Sequence, residues 1–358
     1  MSRTIAVYIS GHGYGHLSQV APVLNRLAEL HPDIQLLLRT DLPQALVTRR
    51  ILAPSTLLPG AVDIGVVQKN AISEDIPATI EAAREFYSGF GGRIEQEADR
   101  LAPHRPVAVL SDIAPVAFPV AKRLGIPSIA VASLDWHDIY RHFLPEGDAL
   151  LTTLEQAHAA CDLLIQPPLS MPMPGFQRRR QVAVIVDDQW TTRKKHKSDK
   201  KTALVMFGGA GDPPFDIHAL GAVDEWQFLY LSFGLSPQSW PLAPNVRQVF
   251  SQGSTAALMH DCDLVVTKPG YGTLAECWQT CTPLAYAPRE DFPEYPYLDT
   301  WLQNRAPSFR MNMTDFVSGN WSGALQAALD CPRRYPPIPA SGAEQAAKLI
   351  ALTLVNRS

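Results

Sequence analysis

Two short stretches concentrate residues that could do chemistry. The first is Gly11-His12-Gly13-Tyr14-Gly15-His16. The second is Lys268-Pro269-Gly270-Tyr271-Gly272-Thr273-Leu274-Ala275-Glu276. Each follows a short apolar run and precedes helical spacing of apolar residues. A glycine-rich turn entering a helix presents unpaired backbone amides to an anion, and glycine lets the ligand come close. Lys268 adds a positive charge. In the second stretch Thr273 can cap the helix, with Glu276 three residues on as its capping-box partner. That leaves an ordinary capped helix as the plain alternative to a phosphate site. His12 and His16 flank the first turn, as polar decoration, as cap contacts or as a base. Asp112 ends a strand of the same predicted sheet, and a histidine whose second nitrogen meets a carboxylate is the arrangement a general base needs. Asp112 could equally cap the helix that follows it. Asp135, Trp136 and His137, with Asp138 and Tyr140, form a polar and aromatic cluster after another strand. It reads as an acceptor wall or as a surface loop.

These residues need elements to position them, and the chain predicts them in alternation. Residues 5–9 read as the first strand, 17–27 as a helix, 34–40 as the second strand and 62–67 as a third. Residues 74–101 read as a polar helical region. Residues 107–112, 129–132 and 163–165 are further strands, with a helix over 117–125. After residue 201 the pattern restarts with a strand at 202–207 and a glycine turn, Gly208-Gly209-Ala210-Gly211. Strands at 227–231, 246–249 and 283–288 follow. Alternating strands and helices predict parallel, doubly wound sheets, whose ligands bind beyond the carboxyl ends of the strands. The fold class expected is α/β, with two Rossmann-like domains facing across a cleft. The expected boundaries are 1–175, a basic linker over 176–201, 202–340, and a terminal helix over 341–358 that crosses back to the first domain. Three glycine-rich loops at one cleft suit a diphosphate, so Gly13, Gly15, Gly208, Gly209, Gly270, Gly272 and Thr273 are candidate contacts. Neither G-x-G-x-x-G nor G-x-x-x-x-G-K-[ST] occurs at the first turn, which argues against an ordinary dinucleotide fingerprint and against a P-loop.

Composition narrows the class further. The chain has 358 residues, 46% hydrophobic and 18% charged, enough for two real cores. A net charge of −4 makes no case for nucleic acid. Five scattered cysteines form no C-x-x-C pair and too few soft ligands converge for zinc, so no metal is expected. Thiols in odd number suit a reducing cytoplasm. Strand-like sequence from Thr4 predicts no signal peptide, and no stretch approaches the roughly 18 apolar residues of a membrane span. The basic run over 193–201 reads as a solvated loop. Its alternative reading is weak contact with anionic lipid headgroups.

On these motifs the chain resembles the GT-B glycosyltransferases. Gly15-His16-Leu17-Ser18-Gln19 looks like the Gly-His turn of plant-type UDP-glycosyltransferases. Residues 268–276 look like the donor loop and helix of the same superfamily. The likeness is nearest to the amino-terminal, glycosyltransferase-like domain of plant L-arabinokinases. It runs through the Gly11–His16 turn, Ser111-Asp112, Asp135-Trp136, Phe207-Gly208-Gly209, Tyr271-Gly272-Thr273 and Arg289 to Leu298. The resemblance implies an inverting, metal-independent transfer of a sugar from a nucleotide diphosphate, UDP-linked, to a hydroxyl acceptor. It makes His16 the base and Asp112 its orienting partner. The glycines and Thr273 would hold the diphosphate, and Glu276 the ribose. The acidic loop carrying Asp291 and Glu294 stands where the superfamily contacts the donor sugar, but departs from its usual glutamine-rich pattern. Two other readings share this architecture: a nucleotide-sugar hydrolase, and a sugar-nucleotide-binding regulatory module without catalysis.

Overall fold

The computed structural model describes residues 2–187, 200–208, 212–232, 242–250 and 254–355. The chain divides into two compact units. One comprises Met1–Val67, Asp75–Val186 and Pro339–Ser358; the other comprises Gln68–Glu74 and Asp187–Ile338.

In the first unit, β1 (Arg3–Tyr8), β2 (Ile34–Thr40) and β3 (Ser55–Pro59) lead to a hairpin, β4 (Gln68–Asn70) and β5 (Ser73–Glu74), that is assigned to the second unit. The first sheet resumes with β6 (Ala108–Ser111), β7 (Ser128–Val131), β8 (Leu163–Gln166) and β9 (Arg179–Gln181). Its order is β3-β2-β1-β6-β7-β8-β9, parallel throughout. Central strands of such a sheet are covered on both faces and read as unbroken apolar runs, as Ile5-Ala6-Val7-Tyr8 and Ala108-Val109-Leu110 do. The helix Tyr14–Leu30 buries Leu17, Val20, Ala21, Leu24 and Leu27 on one stripe. The terminal helix Gly342–Val355 packs against it with Ala343, Ala346, Ala347, Ile350 and Leu354 in the same core. Arg26 Nη2 donates to Glu344 across that contact at 2.8 Å. A Cβ on Gly342 would lie 2.1 Å from the Ala183 carbonyl, so only glycine lets this helix start where it does.

The second sheet contains β10 (Lys201–Met206), β11 (Trp226–Ser232), β12 (Val246–Phe250), β13 (Leu264–Thr267), β14 (Leu284–Tyr286) and β15 (Ser308–Arg310). Its order is β12-β11-β10-β13-β14-β15, again all parallel. Its core gathers Phe207, Phe215, Phe228, Phe316 and Trp321 with the strand aliphatics.

Two expectations are corrected here and a third is refined. Residues 62–67 form no strand; the third strand position belongs to Ser55–Pro59. Asp63 turns inward and Gly65 takes φ 62°, so the segment cannot lie flat on a sheet edge. The helical region over 74–101 is two helices, Ile76–Ser88 and Phe90–Leu101, parted at Gly89. Thr273 does not cap the helix after β13: that helix runs Tyr271–Thr280, with Gly270 at its N-cap and no capping side chain.

Candidate active site

Each sheet has its own point where the strand order reverses. β1 lies between β2 and β6, and β10 lies between β11 and β13. Connections leave to opposite sides there, which opens a crevice at the carboxyl ends of the two central strands. In the first unit, β1 runs into the Gly11–His16 turn and β6 into Asp112. Tyr8 and Ser111 are paired in register, so the two turns leave side by side. In the second unit β10 leads to Gly208 and β13 to Lys268, with Met206 and Thr267 in register.

The first crevice is built around Asp112, which is fully buried. Its Oδ1 accepts from the amides of Ser10 at 3.1 Å and Ile113 at 2.6 Å. Its Oδ2 lies 3.0 Å from His16 Nδ1. The His16 side chain is 11% exposed, so one edge of the ring still reaches solvent. Ser10 Oγ donates to Asp63 Oδ1 at 2.8 Å, and Trp136 Nε1 donates to Asp63 Oδ2 at 3.0 Å. Burial, and after it the neighbouring Asp112 carboxylate, push Asp63 up to about 6; the bonds from Trp136 and Ser10 and the proximity of His16 oppose that rise. The Trp136 ring packs edge-on to His12 at 5.3 Å between centroids and lies 6.0 Å from His16. His12 Nδ1 accepts from the Val66 amide at 3.1 Å, which leaves Nε2 as the protonated nitrogen of its neutral form. A Cβ on Gly65 would lie 2.4 Å from the His12 ring, so this glycine is required by the wall it forms.

Asp135 and Trp136 are both buried, while His137 is half-buried. Asp135 caps the short helix Trp136–Tyr140 by accepting from the Asp138 amide at 2.7 Å. Burial pushes its carboxyl up to about 7. His158 Nδ1 lies 3.8 Å from it, and burial holds that imidazole down at about 3.

In the second unit the helix Tyr271–Thr280 begins directly after the glycine turn, and its N-cap, Gly270, makes no side-chain capping bond. Gly270 has φ −163° and a Cβ there would meet nothing within 4 Å. Neither backbone strain nor protein packing calls for glycine at this position. Gly13 and Gly15 of the first unit likewise face open space. Gly208, by contrast, has φ 62°, a conformation glycine adopts without strain. Gly209 lies outside the described residues, as do positions 193–199 of the basic run. Glu276 is buried and accepts from Ser254 Oγ at 3.1 Å and from Thr255 Oγ1. Asp291 is exposed, whereas Glu294 is buried before the helix Tyr295–Arg305.

Lys268 Nζ donates to the Ala71 carbonyl, and Arg289 pairs with Glu74. Burial, and then the charge of Arg289, bring Lys268 down to about 7, with Glu74 acting in the opposite sense. Ser10, Asp63, Glu74 and Arg289 were not foreseen as site residues. An acid inside the apolar run Val62-Asp63-Ile64 was the one signal that could have found Asp63. Among the described residues, no group of three or more His, Cys, Asp or Glu is placed to hold a metal ion. Among them, too, no helix is long and apolar enough to cross a membrane.

Two Rossmann-like units, each with its crevice at the switch point, give the chain the GT-B fold of the glycosyltransferases. It superposes on the glycotransferase of kitacinnamycin with a TM-score of 0.66 and 18% identity, covering 98% of this chain and 99% of that one. It also superposes on a UDP-glucose:anthocyanidin 3-O-glucosyltransferase in complex with UDP, with a TM-score of 0.64, 14% identity and 99% of both chains. In sequence it is similar to the L-arabinokinase of Arabidopsis thaliana, 25% identical over 380 residues that cover 98% of this chain. The alignment covers 34% of that enzyme, so the chain spans about a third of the length of the curated relative it matches. No protein-family profile matches the chain.

Proposed function

We propose that the protein is a glycosyltransferase that moves a sugar from a nucleotide diphosphate, UDP-linked as in the superposed UDP-glucose enzyme, to a hydroxyl acceptor. The observation that carries this reading is the 3.0 Å approach of His16 Nδ1 to the buried Asp112 at the first switch point. With Nδ1–H directed to Asp112, Nε2 is the basic nitrogen. It takes the proton of an acceptor hydroxyl as that oxygen attacks the anomeric carbon. No enzyme nucleophile is needed for that step, so a single displacement inverts the centre. Asp112 stabilises the imidazolium that forms, and the Ser10 and Ile113 amides orient it.

The leaving diphosphate is the task of the second unit. Amides at the start of the helix Tyr271–Thr280, the close approach allowed by Gly270 and Gly272, and the charge of Lys268 all favour negative charge there. Loop amides and a lysine can serve without a metal ion, so the transfer is proposed as metal-independent. Glu276, one helical turn into the same helix, is proposed to bind the ribose hydroxyls. Asp291 and Glu294 are proposed to face the donor sugar. Asp135, Trp136 and His137 contribute to the acceptor side, Asp135 by shaping the helix it caps.

The test is to incubate the protein with a panel of nucleotide sugars and follow nucleoside diphosphate release, with and without added acceptors and with and without a chelator. Release that depends on an acceptor and survives chelation is the expected result. Release into water alone would make the protein a hydrolase. Binding without release would leave it a regulatory module.

A further inference from the structure

The hairpin β4–β5 is the one piece of the second unit that comes from early in the chain. Its tip is an Asx turn in which Asn70 Oδ1 accepts from the amides of Ile72 at 2.9 Å and Ser73 at 3.1 Å. Ala71 and Ile72 pack against the core of that unit. Two cations stand at the carboxyl ends of the adjacent strands β13 and β14. Lys268 follows β13 directly, and Arg289 follows β14 by three residues. Both are already engaged by the hairpin, Lys268 through the Ala71 carbonyl and Arg289 through the Glu74 carboxylate. Arg289 and Glu74 are 7% and 6% exposed. The pairing is incomplete, since Arg289 Nε and Glu74 Oε2 are buried without a hydrogen-bond partner. The Arg289 guanidinium lies 4.1 Å from the centroid of the Phe292 ring, which holds it in place whether or not Glu74 is there.

Two cations at strand ends where an open sheet receives its ligand, one paired with a carboxylate and the other with a carbonyl of the same hairpin, form an anion site with an internal occupant. We propose that Lys268 and Arg289 together bind an anionic group of the ligand, phosphate or carboxylate, and that Glu74 is the built-in competitor this group displaces. The inference rests on the nucleotide-sugar reading for the identity of the ligand, but not for the existence of the anion site. Displacement leaves Phe292 against Arg289 and frees Lys268 from Ala71. The diphosphate of a donor and a carboxylate on its sugar share this chemistry.

The experiment titrates the full-length protein and its Glu74→Gln variant with UDP, with inorganic pyrophosphate and with glucuronate. Amide exchange across residues 71–75 is followed in the wild type at saturation. The variant keeps the shape of the side chain but removes the competing charge. It is expected to bind UDP and pyrophosphate roughly tenfold more tightly, the scale of one charge-assisted hydrogen bond no longer opposed. In the wild type, exchange at residues 71–75 should quicken when ligand binds. Glucuronate binding with the same signature would assign the site to a sugar carboxylate; pyrophosphate binding would assign it to phosphate. Equal or weaker binding by Glu74→Gln, with exchange unmoved, would overturn the inference while leaving UDP binding, and the donor reading, intact. Pyrophosphate binding with faster exchange but no affinity for UDP would keep the anion site and sink the nucleotide reading. No binding of any probe by either protein would end both. Should the variant fail to fold, the exchange measurement on the wild type decides alone.

Discussion

The two glycine turns share a backbone plan and differ in what surrounds it. Each follows a central parallel strand, each opens a helix with a glycine N-cap and no capping side chain, and each lies at a switch point. Around the first, the buried groups are carboxylates, Asp63 and Asp112, with one imidazole against them. Around the second the charged groups are cations, half-buried Lys268 and buried Arg289, with one carboxylate, Glu74, paired to Arg289. On the function proposed above, the same local fold serves a proton acceptor in one unit and an anion receptor in the other. The type of neighbour, rather than the turn, decides which. A base needs a negative partner to stabilise the charge it acquires; a leaving diphosphate needs positive charge and amides.

The sharpest way to break this comparison is to exchange the expected phenotypes. His16→Ala should lower kcat by about 10²- to 10⁴-fold, the usual contribution of a general base, with UDP affinity unchanged by calorimetry. Normal turnover would remove the base from the first crevice. A parallel loss of UDP affinity would mean that the two turns do not divide the work.

The buried carboxylates of the first unit make a second contrast, visible in stability. Asp135 is raised to about 7 from an ordinary value near 3.8, chiefly by burial. For a raised carboxyl, the contribution is fully present below the unfolded value and is lost as pH rises through the folded one. Asp135→Asn keeps the oxygen that accepts from the Asp138 amide and cannot ionise. It should therefore be more stable than the wild type by on the order of 2 kcal/mol at pH 8, with the gain vanishing by pH 4. Urea denaturation at the two pH values measures it. A uniform loss at both would mean that the carboxylate itself is needed.

In the second unit, Glu276→Ala is expected to weaken UDP binding by about tenfold, as loss of a hydrogen bond to a charged group does, with a smaller effect on kcat. Unchanged affinity would confine Glu276 to holding Ser254 and Thr255.

How far these sites were legible follows from distance along the chain and from period. The core strands announced themselves: Ile5-Ala6-Val7-Tyr8 and Leu264-Val265-Val266 are apolar without alternation because both faces are covered. Since ligand residues of such sheets sit just beyond strand ends, His16 and Asp112 could be paired across nearly a hundred residues. Glu74 and Arg289 could not. They are 215 residues apart, and the hairpin that joins them has an exposed, polar first strand, Gln68-Lys69-Asn70, with no apolar face to betray it. Val62–Val67 carried the composition of a strand, but Asp63 and Gly65 have tertiary partners that outweigh propensity. Thr273 was a plausible cap by residue type. The N-cap lies three residues earlier, because Gly270 is extended and Tyr271 is already helical.

The smallest effect expected tests the cation side of the comparison by pH. Lys268 is lowered to about 7 by burial and by Arg289, while Glu74 opposes the shift. A lysine brought down in the free protein and drawn beside a diphosphate in the complex must take up a proton on binding. Below pH 7 it is charged in both states and the linkage is silent. Above pH 7 the free protein has lost the proton, so UDP affinity should fall as pH rises, by a few-fold between pH 7 and 8. Phosphate ionisation, centred near pH 6, adds little over that interval. Lys268→Met should bind more weakly at pH 7 and show no such slope. Calorimetry in two buffers of different ionisation enthalpy would count the proton directly. A flat profile in the wild type, or the same slope in Lys268→Met, would place the anion against backbone amides alone. The second turn would then differ from the first only in lacking a base.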